Sequence, residues 1–309
     1  MSLATQSIFI TSVAPAPRDG LNDNSRMHWQ TTRHRIDLGV PRVMGIVNLT
    51  PDSFSDGGRH ASVSAGIHHC ERLVAQGADI LDLGAESTRP GSPPVPLEEE
   101  RARLLPVLRE ALALGVPVSV DTYKAEVMRE VLDLGTDIIN DIWALRKPGA
   151  ADVVVAHGRC GVCLMHMHGQ PQTMQLAPME GDAVPPVRDF LRGVTGELRA
   201  RGVDPTRIAW DPGIGFGKTP AQNFALLARQ EDLLADGQPL LVGWSRKSSL
   251  GTVTGLAASE RLVPSVAAAV LAVERGARIV RVHDVAPTVA ALKVWVAAAR
   301  PGAGVQARQ

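Results

Sequence analysis

The sequence predicts an α/β fold: a single (β/α)8 TIM barrel preceded by a disordered N-terminal tail. Three observations predict it. From residue 41 onward, short β-branched or leucine-rich runs alternate with stretches of helical periodicity, the pattern of βα units around a parallel sheet. Eight such runs occur, and eight units spread over about 250 residues is the arithmetic of a TIM barrel. Each run also delivers a hydrogen-bonding or ionisable residue at or near its end, as expected where chemistry sits at the C-terminal rim of a barrel.

The runs are "RVMGIVN" (42–48), "DILDLG" (79–84), "VPVSVD" (116–121), "DIINDI" (137–142), "GVCLMHM" (161–167), "RIAWDPG" (207–213), "PLLVGWS" (239–245) and "RIVRVHD" (278–284). Helical periodicity fills the intervals, for example over 97–115 and 124–135. A doubly wound sheet is the main rival, but it has fewer strands and places a Gly-x-Gly-x-x-Gly turn after its first one. Here "NLTPDSFSDGG" follows instead. Residues 1–26 carry Ser, Pro and Asn without apolar periodicity and read as a loose tail, leaving 27–309 as the barrel domain, with Met27 a candidate start.

Composition narrows the class of ligand. A chain of 309 residues that is 45% hydrophobic can bury a large core. Thirty-two basic and thirty-two acidic residues cancel, so there is no electrostatic footprint for nucleic acid or an anionic membrane. A small-molecule partner is expected. No apolar run approaches a membrane span, "VAAAVLAV" (266–273) being among the longest, and "SIFI" is too short for a signal sequence. Three cysteines form no paired framework and suit a reducing cytoplasm.

The run ends define a candidate site. They read Asn48; Glu86 with Thr88 beyond; Asp121; Asn140 with Asp141; His166 with His168; Asp211; Ser245 with Arg246 and Lys247; and Arg281 with His283. Wet strand ends explain any one of these, but not the collection, because buried ionised groups are costly unless paired or ligand-bound. Asp121, Asn140 and Asp211, with Lys247 as donor, suit a flat heterocycle that displays several N–H groups along one edge. Arg281, His283 and Ser245 form a cationic, donor-rich half near where barrels hold phosphate. The Asn48 oxygen suits a hard cation such as Mg2+ alongside phosphate oxygens.

"DPGIGFGKT" (211–219) imitates a phosphate-binding loop, but that motif needs glycine where Pro212 stands. Asp211 is instead the working residue, with the glycines shaping the turn and allowing a ring to approach the backbone. Thr219 followed by Pro220 reads as an N-cap with proline at N1. Lys218 reads as a solvated neighbour of that helix start.

The ordered motifs "NLTPDSFSDGG", "ESTRPGS", "SVDTYK", "INDI", "LMHMHG", "DPGIGFGK", "GWSRKSSLG" and "RVHDV" closely resemble those of the dihydropteroate synthases, folate-pathway enzymes targeted by sulfonamides. The resemblance runs from about Val43 to Ala299. It implies condensation of 6-hydroxymethyl-7,8-dihydropterin pyrophosphate with p-aminobenzoate, with Mg2+, in a cytoplasmic homodimer. Motif by motif, it implies that Asp121, Asn140, Met165, Asp211 and Lys247 hold the pterin. Asn48, Thr88, Arg281 and His283 would hold pyrophosphate, with Asn48 also on the metal. Phe54, Arg89, Pro90 and Ser248 would frame p-aminobenzoate. Lys247, Arg281, His283 and Asp56 would serve the reacting centre.

Two rival functions and one decoy are weighed against this. A methyltetrahydrofolate-binding methyltransferase barrel would share the pterin carboxylates but has no use for "STRPG" and "SRKS" loops. A non-catalytic pterin-binding paralogue would have lost part of the Asn48, Lys247, Arg281 and His283 set, which is intact here. The decoy is Cys160-x2-Cys163 with nearby histidines, which has zinc-like spacing, but on a strand the two thiols point to opposite faces. His166 reads as a hydrogen-bonded structural histidine, and His68 and His69 as surface residues of the first helix. Val263-Pro264 is the one local departure from the family pattern.

Overall fold

The computed structural model describes residues 27–50, 58–87 and 91–299; the tail expected at 1–26 lies outside them. It opens with an antiparallel hairpin, β1 (His28–Gln30) and β2 (Arg35–Asp37). The barrel strands follow: β3 (Arg42–Asn48), β4 (Ile80–Gly84), β5 (Val118–Asp121), β6 (Ile138–Asp141), β7 (Gly161–Met165), β8 (Ile208–Asp211), β9 (Leu241–Val242) and β10 (Ile279–Val282). These are the eight runs expected from the sequence. All neighbours pair in parallel in the order β8-β7-β6-β5-β4-β3-β10-β9, and a parallel bridge between Trp210 and Leu240 joins the two ends. The barrel is closed.

Helices α1 (Gly58–Ala75), α2 (Leu97–Ala111), α3 (Ala125–Asp133), α4 (Ala150–His157), α5 (Val184–Ala200), α6 (Pro220–Ala228), α7 (Glu231–Leu234), α8 (Ser248–Thr254), α9 (Leu262–Glu274) and α10 (Val285–Ala299) lie between and after the strands. The N-cap of α6 is as expected: Thr219 accepts from the Gln222 backbone N–H, Gln222 returns the bond, and Pro220 opens the helix. The departure at Val263-Pro264 falls in the first turn of α9. There the missing proline N–H costs nothing, because that donor has no intrahelical acceptor.

Both faces of each barrel strand are buried, so the strands read as continuous apolar runs. Outward residues such as Val43, Leu81, Val120, Ile139, Val162, Ile208 and Val280 pack under the helices. The alternate residues Met44, Ile80, Ile138, Cys163, Ala209, Leu241 and Ile279 fill the barrel interior. They join Trp29, Ile36 and Leu38 of the hairpin segment, which plugs the N-terminal end of the barrel, and Trp29 Nε1 donates to the Arg207 carbonyl at 2.9 Å. This hairpin leaves no pattern in the sequence. Its strands are three residues each, too short for a period-2 pattern to emerge.

Side chains on one strand face recur every second residue, so two steps beyond this apolar plug the interior is rebuilt from different residues. Ile80 is succeeded by Asp82, Ile138 by Asn140, Ala209 by Asp211 and Ile279 by Arg281. The polar floor of the site is therefore a direct consequence of strand periodicity.

Candidate active site

At that floor Arg281 joins two acids. Its Nε donates to Asp82 Oδ2 at 2.6 Å, and its Nη2 donates to Asp121 Oδ2 at 3.0 Å. Asn140 Nδ2 reaches the same Asp82 oxygen at 3.2 Å. Strands β4, β5, β6 and β10 thus converge on one network. Asp82 is fully buried and was missed in the sequence, where only the end of each run was read. The available signal was an aspartate within "DILDLG", a strand otherwise apolar on both faces.

Electrostatics here is set by burial. Desolvation pushes Asp121 up to about 7, opposed by the Arg281 charge and reinforced by Asp82 and Asp141. Burial also works against the Arg281 cation, but Asp82 and Asp121 together hold its pKa above the ordinary arginine value. Asp211 is raised by burial, with the Gly213 N–H and the Lys247 charge pulling it back. Lys247 is pushed down to about 8 by burial, against the pull of Asp211.

The turn after β8 aims Asp211. Gly213 N–H donates to Asp211 Oδ1 at 2.7 Å. Gly213 and Gly217 both have positive φ, and an added Cβ would lie 1.9 Å and 2.2 Å from the carbonyl oxygens of His166 and His168. These glycines therefore let the β8 turn lie against the backbone that follows β7. At Gly215 an added Cβ would meet Lys247 Cδ at 3.2 Å, so the missing side chain there makes room for the lysine. Lys247 Nζ sits 4.3 Å from the centroid of the Phe216 ring.

Lys218 contradicts its expected place. It is 2% exposed rather than solvated, and its Nζ donates to the carbonyls of His166, Gly213 and Phe216 at 3.2, 2.9 and 3.1 Å. The turn wraps around its own lysine, a tertiary arrangement with no local signature.

On the other side of the mouth, Ser245 Oγ lies 2.9 Å from His283 Nδ1 and accepts the His283 backbone N–H at 3.1 Å. The serine hydroxyl thus bridges the ring and the main chain of His283 and fixes the orientation of the imidazole, with Nε2 its other polar atom. Burial and the Arg281 charge push His283 down to about 3. Of that pair Arg281 carries the positive charge, and His283 is held neutral. Arg246, left-handed at φ 59°, is braced by a two-pronged ion pair to Asp284 at 2.7 and 3.1 Å.

Other rim residues are spent on structure. Asp141 accepts the N–H groups of Trp143 and Leu145, both at 2.8 Å, across left-handed Ala144 and Leu145. Glu86 accepts from Tyr123 OH at 2.7 Å and from Lys124, which also binds the buried Glu100. His166 packs edge-on against Phe190 and is held neutral by burial, down to about 2. Its buried Nδ1 has no hydrogen-bond partner among the described residues, against the expectation of a hydrogen-bonded ring. His68 is exposed as expected, whereas His69 is half-buried beside the Ile46 carbonyl. Cys160 belongs to the outer core and Cys163 to the barrel interior, so the two thiols do not share a face.

Met165 is buried with Met167, Met174 and Ile142 under Tyr123, Trp143 and Phe216, an apolar wall beside Asp211. Asn48 ends β3, paired in register with Gly84, and Ser248 opens α8 at the surface. Phe54, Asp56, Thr88, Arg89 and Pro90 lie outside the described residues. Among those described, no group of three or more His, Cys, Asp or Glu side chains could hold a metal ion, and no helix is long and apolar enough to cross a membrane.

A cup with a carboxylate-rich floor and a donor-rich lip is matched by family. Residues 44–283 fit the family model described as pterin binding enzyme. A dihydropteroate synthase of Neisseria meningitidis serogroup B is 50% identical over 279 residues, covering 88% of this chain and 98% of the relative. The chain belongs to the dihydropteroate synthase family of pterin-binding enzymes. Two solved synthases agree in fold. That of Burkholderia cenocepacia, complexed with 7,8-dihydropteroate, has a TM-score of 0.80 at 50% identity, covering 88% of this chain and 96% of that one. That of Xanthomonas albilineans, with 4-aminobenzoic acid, has a TM-score of 0.83 at 47% identity, covering 88% and 98%. The region matched by the pterin-binding family begins within β3 and ends at His283, so the hairpin and α10 lie outside it.

Proposed function

We propose that this synthase joins 6-hydroxymethyl-7,8-dihydropterin pyrophosphate to p-aminobenzoate, giving 7,8-dihydropteroate and pyrophosphate. The observation that carries this is the convergence of Asp121, Asn140, Asp211 and Lys247 in one cup, flanked by the Met165 wall. A pterin offers an N–H-rich edge to two carboxylates, a carbonyl to a lysine and a flat face to apolar side chains. Relatives solved with the product and with 4-aminobenzoic acid support the substrate pair.

The chain's own groups divide the work. Asp211, fixed by Gly213, and Asp121 accept pterin N–H bonds, while Asn140 and Lys247 complete the ring's polar contacts. Arg281 and His283 face the pyrophosphate, and the Arg281 charge stabilises charge growing on its leaving oxygen. The arylamine nitrogen bonds to the pterin methylene carbon as that carbon's bond to pyrophosphate oxygen breaks. The bonding pair leaves on pyrophosphate, and the new ammonium gives one proton to water. Phe54, Arg89, Pro90 and Ser248 frame the arylamine, Thr88 joins the pyrophosphate set, and Asp56 steadies the reacting centre.

The Asn48 oxygen is a hard donor suited to Mg2+ alongside pyrophosphate oxygens. An ion held there would supply positive charge to offset that of the departing pyrophosphate. The working unit is a homodimer in the cytoplasm. Val263, Ala267 and Leu271 form an exposed stripe along α9, with Val253 of α8 and Val294 of α10 also exposed, and a second copy would cover them. Sedimentation at micromolar concentration should show twice the chain mass; a monomer removes that part of the proposal.

The central test is incubation with both substrates and Mg2+, following dihydropteroate by chromatography. No product from folded protein would overturn the proposal, and a covalent pterin–protein adduct trapped by mass spectrometry would overturn the direct displacement.

A further inference from the structure

Lys218 is a buried cation for which the proposed chemistry has no use. It stands in the turn between β8 and α6 and is 2% exposed. An ammonium has three donors, and here all three go to main-chain carbonyls: His166 from the segment after β7, and Gly213 and Phe216 from the turn after β8. Burying a charge is expensive unless it is compensated. Burial lowers its pKa to about 7, with the charge of Asp211 opposing that shift and Lys247 adding to it, and three backbone dipoles compensate the charged form. A lysine needed only for solubility or packing would not be enclosed in this way.

The three carbonyls belong to the backbone that aims the cup. Gly213, whose carbonyl Lys218 holds, is the residue whose N–H orients Asp211 Oδ1. Phe216, whose carbonyl it also holds, carries the ring beneath Lys247 Nζ. The third carbonyl, that of His166, directly follows Met165 on the pocket wall and is the atom that a Cβ at Gly213 would strike first. One ammonium therefore ties together the supports of Asp211, Lys247 and Met165.

We propose that Lys218 is a positioning residue for the pterin half of the site, an internal cation that locks the β7 and β8 turns so that Asp211 and Lys247 present their charges to the pterin. This rests on the placement of the pterin against Asp211. None of the residues assigned to p-aminobenzoate is among the three whose carbonyls Lys218 holds, which separates a positioning role from a general contribution to folding.

The test compares wild type, Asp211→Asn, Lys218→Met and Lys218→Gln. Calorimetry with 6-hydroxymethyl-7,8-dihydropterin pyrophosphate and Mg2+ gives pterin affinity, and steady-state kinetics give KM for each substrate. Folding is checked by circular dichroism. In Lys218→Met, pterin affinity should fall about tenfold or more, the loss expected for a charged hydrogen-bond network, while KM for p-aminobenzoate stays within about twofold. Lys218→Gln, which keeps two donors, should recover part of the loss. Wild-type pterin affinity in folded Lys218→Met, equal losses for both substrates, or failure of both variants to fold would each overturn the inference in favour of a purely architectural lysine. Unchanged pterin affinity in Asp211→Asn is a different failure, because it removes the pterin placement itself.

Discussion

Arg281 Nε lies 2.6 Å from Asp82 Oδ2, and this contact joins the last barrel strand to the second. Asp82 is wholly enclosed while its arginine partner keeps a fifth of its side chain in reach of the mouth. One end of the pair is therefore sealed and the other presented. The same carboxylate oxygen also takes the Asn140 amide, so a single buried acid orients two of the groups expected to meet substrate.

Asp82→Asn should therefore damage activity although Asp82 lies beneath the surface of the cup. The amide keeps the shape but removes the charge that holds Arg281. Loss of a charged hydrogen bond, about 1.5–3 kcal/mol, corresponds to a fall of roughly ten- to over a hundredfold in kcat/KM. Kinetics on folded Asp82→Asn check this, and wild-type kcat/KM would remove Asp82 from the machinery.

How the sequence exposed some of these residues and hid others follows from strand geometry. Asp121, Asn140 and Asp211 were legible because each closes a short apolar run, and Arg281 because it stands near the end of one. Asp82 was hidden because it sits inside its run, although the same period-2 count that relates Ile80 to Gly84 passes through it. Asp141 and Glu86 looked like ligands for the same reason as Asp121, yet backbone N–H groups and Lys124 engage them. Lys218 was misplaced because burial of a turn residue depends on where the neighbouring turn lies. The eight strands were readable from pattern, whereas the plug was not: a three-residue strand carries one inward side chain, here Trp29.

That single side chain should matter greatly. Trp29 is completely buried at the base of the barrel, and truncating a buried aromatic to alanine costs about 3–5 kcal/mol. Trp29→Ala should lose that much stability in denaturant unfolding. Deleting residues 1–26, which precede the plug and show no amphipathic pattern, should leave both melting temperature and activity near wild type. Equal damage from the two changes would contradict the plug.

Gly213→Ala should be worse than an ordinary turn substitution. The new Cβ would stand 1.9 Å from the His166 carbonyl oxygen, and the backbone there is left-handed. Left-handed backbone alone costs about 1–2 kcal/mol for a residue with a Cβ, and the clash must be relieved by moving one turn off the other. Pterin affinity should fall along with stability. A variant with normal affinity in calorimetry would show that the contact between the turns is not what aims Asp211.

The last prediction concerns pH. In the free protein burial raises Asp121 to about 7 and lowers Lys247 to about 8. Pterin binding wants Asp121 ionised and Lys247 protonated, so affinity should rise as pH climbs through about 7 and fall again above about 8. The Asp121 limb should vanish in Asp121→Asn and the Lys247 limb in Lys247→Met, each at reduced affinity. Stability moves the other way on the acid side. A carboxyl whose folded pKa lies above its unfolded value binds more protons when folded, so its contribution is complete below the unfolded pKa, near 4, and is lost as pH rises through the folded one. Asp121, together with Asp141, raised to about 6, should therefore make the ligand-free enzyme lose stability between about pH 4 and 7, while its affinity for pterin increases. Adding 6-hydroxymethyl-7,8-dihydropterin pyrophosphate with Mg2+ should then give a larger rise in melting temperature at pH 7.5 than at pH 5.5, since a ligand stabilises in proportion to its affinity for the folded state. An equal rise at both pH values would mean that neither Asp121 nor its burial governs pterin binding.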